Sequence, residues 1–197
     1  MIGRFSVRHA VRGLLGGTAI AAAMGTSPAI AGERAGPTIS NQLLIDVGKS
    51  WVQMLAKASD EQASQYAAHL AQTMASLVGS PDLCVKVLRP SVFGPLRVDE
   101  WPKADLDRQM SLQRQIAGTA LTSPNAVPTE AQAGPVLDRL LDKLTAQYGA
   151  EAVEVLGRGD KDIPRAHACL MWSRLYKEAS LLPPAEGGKL VRWLNVP

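Results

Sequence analysis

The feature that most constrains the fold of this chain is the spacing of its apolar side chains, which recur every three or four residues. An α-helix turns once in about 3.6 residues, so such intervals place the apolar set on one helical face. A first stripe is formed by Leu44, Val47, Trp51, Met54 and Ala58, and a second by Ala63, Tyr66, Ala67, Leu70, Met74 and Leu77. The pattern predicts two helices.

The boundary between these two helices has its own signal. Ser59 is an N-cap candidate, and Gln62, three residues later, completes a capping-box pattern. We expect the first helix to begin near Ser40 and the second to end before Gly79. Because the break between them is short, the two helices should form an antiparallel hairpin.

The rest of the chain continues the helical pattern, with one ambiguous segment. Pro81 suits a first helical position and predicts a short helix over 81–89, but apolar residues also alternate there, so a strand within 81–98 is the alternative. Further helices are predicted at about 103–121, 130–148, 150–157 and 165–182, with a last amphipathic turn or two at the C-terminus. The inward side chains of the helix at 103–121 are predicted to be Leu106, Met110, Ile116, Ala117 and Ala120.

Composition agrees with a helical fold. Aromatic residues make up only 5% of the chain, whereas alanine and leucine are abundant, and this balance favours helix over sheet. A second capping-box pattern, Thr129 with Gln132, precedes the helix at 130–148. We therefore predict an all-α, single-domain fold over residues 32–197, an irregular helical bundle of five to seven helices.

Residues 1–31 have the layout of a secretory signal peptide. Three arginines and no acidic residue are followed by the apolar stretch 13–25, and small residues then fit a cleavage site after Ala31. The apolar stretch is shorter than the roughly twenty residues that a membrane span needs. An uncleaved anchor is the alternative. With the leader removed, we expect no transmembrane segment and a periplasmic or secreted bacterial protein.

Removal of the leader also changes the charge balance. The whole chain has 21 basic and 18 acidic residues, and three of the basic residues lie in the leader, which leaves 18 of each. Nucleic-acid binders usually carry a basic patch or stripe. No run of basic residues occurs after residue 31, so a nucleic-acid partner is not expected.

The chain has two cysteines, Cys84 and Cys169. An even cysteine count in an exported protein predicts a disulfide. Two buried free thiols are the alternative, since cysteine also behaves as a small apolar residue.

The segment around the second cysteine, "PRAHACLMWSRLYKEASLL", contains several residue types that bind metals. On a helix, the side chains of His167 and Cys169 point about 200° apart. They therefore cannot coordinate the same metal ion. Cys169 falls on the apolar face with Trp172 and Tyr176, and His167 falls on the polar side. His167 and Met171, four residues apart, are a weak candidate for Cu(I) by ligand softness.

Other cofactor and catalytic signals are equally sparse. His69 with a methionine could ligate a haem, but the chain has no Cys-x-x-Cys-His attachment motif, and we predict no cofactor. No Gly-x-Ser-x-Gly elbow, P-loop or dinucleotide fingerprint is present. Glu100 beside Trp101 is the best candidate acid for an envelope hydrolase, because such an acid needs an apolar neighbour that raises its pKa. The "RGD" tripeptide at 158–160 is attributed to chance.

These observations favour an exported binding or interaction protein, such as an envelope-assembly accessory, an inhibitor or an immunity protein. Its partner would be another envelope protein. Phe93, Trp101 and Trp193 are the candidate contact residues, because they lie in irregular or terminal segments and aromatic side chains often anchor interfaces. The alternatives are a cell-envelope hydrolase that uses Glu100, and a haem or copper carrier.

Overall fold

The computed structural model describes residues 50–89, 93, 96–158 and 163–195, and every regular element in these ranges is helical. Residues 50–56 form one helical segment. The helices that follow are α1 (Asp60–Ser76), α2 (Pro81–Leu88), α3 (Lys103–Thr122), α4 (Glu130–Tyr148), α5 (Ala150–Glu154), α6 (Arg165–Leu181) and α7 (Pro184–Leu194), with 3-10 turns at Val98–Glu100 and Val155–Gly157. The all-α prediction is confirmed for this part of the chain, which holds eight α-helices with the five-residue α5 included.

Several predictions fall outside the described residues. They are the signal peptide at 1–31 with its cleavage site, the helix start near Ser40, and the last two residues of the "RGD" tripeptide. Within the described residues, 81–88 form a helix and not the alternative strand. Pro81 occupies the first helical position, where its missing N–H costs no hydrogen bond.

The two predicted capping boxes form. The Gln62 N–H donates to Ser59 Oγ at 3.1 Å, and the Ser59 N–H donates to Gln62 Oε1 at 3.0 Å. At the start of α4 the Thr129 N–H donates to Gln132 Oε1 at 2.9 Å. Because each box satisfies N–H groups that the first helical turn leaves unpaired, α1 and α4 begin where the sequence predicts.

The core lies where α1, α6 and α7 meet. α1 and α6 pack along each other, α7 lies against α1 and α4, and α2 packs on α6. Trp51 meets Tyr66 edge to face with ring centroids 5.6 Å apart, and Trp172 lies 6.0 Å from Tyr176. All four rings are at most 2% exposed. Aromatic side chains therefore fill the core beside α1 and α6.

The predicted disulfide is present. Cys84 on α2 and Cys169 on α6 have a sulfur–sulfur distance of 1.98 Å and a Cα–Cα distance of 5.8 Å, within the range of protein disulfides. Both residues are fully buried. The bridge joins α2 to α6. Cys169 lies on the inner face of α6, as the helical projection predicts.

Among the described residues, no helix is both long enough and apolar enough to cross a membrane.

Candidate functional site: the polar contact between α1 and α3

Helix α3 packs against the bundle through a different face from the one that its apolar residues predict. Of the five predicted inward residues, only Ile116 is buried. The face that is buried consists of Asp105, Gln109, Leu112 and Ile116, at intervals of 4, 3 and 4. Leu106 is partly buried and packs against the core, as predicted. The prediction is wrong for Met110, Ala117 and Ala120, which are only partly buried, because the surface opposite α3 accommodates partly polar side chains.

That neighbouring surface belongs to α1, the helix on which α3 chiefly rests. The facing side of α1 carries several polar side chains. His69 and Thr73 are fully buried in it, and Gln62 and Ser76 lie at its two ends. Polar groups that leave water need partners, which is why polar residues of α3 face this side of α1.

Two side-chain contacts define how the helices align. Gln62 Nε2 donates to Thr119 Oγ1 at 2.9 Å, and Ser76 Oγ donates to Asp105 Oδ2 at 3.2 Å. The contact residues are fourteen positions apart on both helices and occur in opposite order, so α1 and α3 run antiparallel. At 1.5 Å per residue the two contacts are about 21 Å apart. His69 lies midway between them.

The His69 ring is unusual because it is fully buried at this midpoint. Among the described residues, neither ring nitrogen has a hydrogen-bond partner of good geometry, and the same holds for Thr73 Oγ1. The Gln109 side chain is nevertheless near enough to act on the ring. Burial lowers the pKa of His69 below its usual value near 6.5, and Arg108 lowers it further, while Asp105 and Gln109 act in the opposite direction. The net effect is that His69 is neutral at pH 7.

The two residues of the candidate metal pair differ in their exposure. Met171 is fully buried, whereas His167 is partly exposed. The Met171 sulfur lies 3.5 Å from Arg174 Nη1, whose guanidinium carbon lies 3.6 Å from the centre of the Tyr148 ring. A guanidinium beside the thioether opposes the approach of a copper ion by charge repulsion. In the part of the chain that the structure describes, no three His, Cys, Asp or Glu side chains converge in a way that could hold a metal.

Glu100, the candidate general acid, lies in an ionic environment. Lys86 Nζ lies 2.8 Å from Glu100 Oε1, and the Arg97 N–H donates to Oε2 at 2.8 Å. The hydrogen bond from Lys86 lowers the pKa of this carboxyl, and the Arg97 N–H adds to the effect. A general acid needs the opposite shift, so the surroundings of Glu100 give the hydrolase hypothesis no support.

The three candidate contact aromatics do not form one surface patch. Trp193 is 1% exposed on the inner face of α7, and Trp101 is 6% exposed just before α3. Phe93 is half-buried, with the Arg165 guanidinium 5.2 Å from its ring centre. The tryptophans lie inside because the segments that carry them pack onto the core, although one is near the chain end and the other is in an irregular region. A binding role for these residues stays a prediction.

The polar contact between α1 and α3 is not among the predictions from the sequence. Of its residues, only His69 is considered there, as a possible haem ligand. A signal existed: Gln62, His69, Thr73 and Ser76 recur at helical spacing on one side of α1, next to its apolar stripe. The partners Asp105 and Gln109 share a helical face in the same way. What the sequence lacks is any indication that these two stripes meet.

No protein-family model matches the chain, and no curated protein or solved structure matches it either.

Proposed function

We propose that this chain is an exported binding protein of the bacterial cell envelope, and that it contacts another envelope protein through α3. The observation that carries the proposal is the way α3 is attached. Only four of its twenty residues are buried, and two of these are polar. A long helix held in this way leaves most of its surface available to a partner.

The available surface of α3 includes three apolar side chains on one side of the helix, which we call the apolar stripe. Met110, Ala117 and Leu121 lie at intervals of 7 and 4, and the exposed Arg114 stands between the first two. Met110 and Ala117 are partly exposed, and Leu121 is 80% exposed. A helix with apolar side chains at such spacing is suited to an apolar groove of a partner protein.

Export is supported by two independent features. The first 31 residues have the charge and apolar pattern of a signal peptide. The disulfide between Cys84 and Cys169 is typical of proteins that fold in an oxidising compartment, such as the periplasm. We expect the mature protein to begin at Gly32, which N-terminal sequencing of the purified exported protein would establish. A mature form that begins at Met1 would contradict this part of the proposal.

The binding proposal is tested with two neighbouring residues. Leu121→Glu places a charge on the apolar stripe, whereas Thr122→Glu places one about 100° away on an equally exposed part of α3. Each tagged variant is used to recover partners from an envelope extract. We expect the wild type and Thr122→Glu to recover the same protein and Leu121→Glu to lose it at least tenfold. Equal recovery by all three forms would contradict a role for this stripe, and no recovery by the wild type would contradict the binding function.

A further inference from the structure

The buried imidazole at the centre of the α1–α3 contact has a consequence beyond binding. We propose that His69 makes this contact sensitive to pH, so that uptake of one proton by its ring in mild acid releases α3 from α1. The proposal rests on the position of the ring, and it holds for the isolated protein whether or not α3 binds a partner.

We call the structure with α3 packed on α1 the closed arrangement, and one with α3 detached the released arrangement. In the closed arrangement His69 is 0% exposed, and its ring nitrogens have no hydrogen bond of good geometry among the described residues. A charged imidazolium carries two N–H donors and needs acceptors for both. When α3 leaves, water can reach the ring and satisfy these donors. Protonation therefore favours the released arrangement, because an unsatisfied buried charge is costly.

Charged and polar residues of α3 near the ring act on the protonation of His69. On α3, Asp105 and the Gln109 side chain favour the protonated ring, and Arg108 opposes it. Asp105 accepts a hydrogen bond from Ser76, which lies seven residues beyond His69, about 10 Å along the α1 axis. Its carboxylate is thus engaged at the end of the contact. The attraction only partly offsets the lost hydration, since the pKa of His69 is lowered overall.

Within the described residues, the other elements packed against α1 place no compensating charge near His69. The helical segment 50–56 has no charged residue. The buried face of α6 consists of uncharged side chains, of which Ser173 donates to the Ala71 carbonyl at 3.0 Å. On α7, Arg192 pairs with Asp60 at 2.7 Å, nine residues before His69 and about 13 Å away along the helix axis.

Few interactions hold α3 on the bundle. The buried apolar side chains of α3 are Leu112 and Ile116, and Leu106 is partly buried against the core. At the two ends of the contact, Gln62 of α1 donates two hydrogen bonds to α3 and Ser76 donates one. Elements with few buried apolar contacts open at lower free energy than the core. Helices α1 and α6 pack along each other in the buried core, and the disulfide ties α6 to α2. Acid should therefore release α3 before it unfolds the bundle.

The size of the effect follows from proton linkage. An exposed histidine has a pKa near 6.5, and the closed arrangement lowers that of His69. Between these two values the ratio of released to closed molecules should rise by up to about tenfold for each pH unit of acidification. Above about pH 7 the ratio should be constant, because the ring is neutral in both arrangements.

The test is amide hydrogen exchange of the mature protein between pH 7.5 and 5.0, with rates corrected for the intrinsic effect of pH. We expect protection of the α3 amides to fall with acid while protection of the central α1 and α6 amides is retained. His69→Gln, whose side chain stays neutral, should abolish the fall. His167→Gln, which removes the partly exposed histidine of α6, should leave it unchanged.

Several outcomes would overturn the proposal. These are α3 protection that does not change with pH, protection that falls equally across α1, α3 and α6, and a fall that persists in His69→Gln. If His69→Gln does not fold, the wild type still decides the matter by NMR. The α3 amide shifts should then follow the titration of the His69 ring, and shifts that move independently of it would refute the proposal.

Discussion

At the scale of single residues, His69 shows how position changes the chemistry of a side chain. A histidine on the edge of an apolar stripe is an ordinary surface residue if nothing covers it. Here the ring is 0% exposed and faces residues of α3. The neighbours that α3 supplies have opposite effects: Asp105 raises the pKa of His69 and Arg108 lowers it. Burial has the largest effect on the pKa of His69, and residues more than thirty positions away in sequence adjust it.

A pair of substitutions on α3 tests this electrostatic balance. Asp105→Asn removes the charge that favours the imidazolium, so the pKa of His69 should fall further. Arg108→Gln removes the opposing charge at an exposed position, so the pKa should rise. An NMR titration of the His69 ring in both variants measures the two shifts. Shifts of the same sign, or no shift in either variant, would contradict the geometry of the contact.

At the scale of helices, α7 is positioned by two adjacent glycines. A side chain at Gly187 would overlap the Ala179 carbonyl of α6, and one at Gly188 would overlap the Asp60 backbone of α1. The absence of both side chains allows the start of α7 to touch the backbones of α1 and α6. Arg192 then binds from the same helix, with Nε donating to the Ala56 carbonyl at 3.1 Å and Nη1 paired with Asp60.

Gly188→Ala should therefore destabilise the fold, because α7 must move away from α1 to make room for the methyl group. We expect a loss of about 1–3 kcal/mol in the free energy of unfolding, the usual range for overpacking. The matched control is Gly118→Ala in α3, where an added methyl group meets nothing within 4 Å. That change should stabilise the protein by about 0.5–1 kcal/mol, because alanine favours a helix. Urea denaturation measures both, and equal effects of the two substitutions would contradict the close approach.

The helix α3 shows where periodicity is insufficient at this scale. Its sequence contains two stripes at helical spacing, one more apolar through Met110 and Ala117, and one mixed through Gln109 and Ile116. Periodicity correctly predicts the helix. It does not indicate which stripe is buried, because that depends on the surface of α1 opposite.

At the scale of the whole molecule, the disulfide joins parts of the chain that are 85 residues apart. It connects α2 to α6. A crosslink that closes so long a loop reduces the conformational entropy of the unfolded chain. The bridge should therefore make a large contribution to the stability of the bundle.

Replacement of both Cys84 and Cys169 by alanine should lower the free energy of unfolding by about 3–5 kcal/mol. The fold itself should persist, because the buried aromatic pairs Trp51–Tyr66 and Trp172–Tyr176 do not include either cysteine. Urea denaturation of the variant and of the oxidised wild type measures the difference, with circular dichroism as the check on helix content. An unchanged midpoint would show that the bridge contributes little, and loss of helix would show that the core cannot form without it.

Local sequence signals were sufficient for the helical class, for the starts of α1 and α4, and for naming Cys84 with Cys169 as the one possible cysteine pair. These depend on local spacing, on capping residues a few positions apart, and on the cysteine count. Tertiary packing decides that the two cysteines are bonded, that Trp101 and Trp193 lie inside, that α3 rests on its mixed stripe, and that His69 is enclosed. The physical reason is that burial is a relation between two surfaces. Residues 60–76 and 103–122 each carry more than one stripe that could pack, and the choice is made only where the two helices meet.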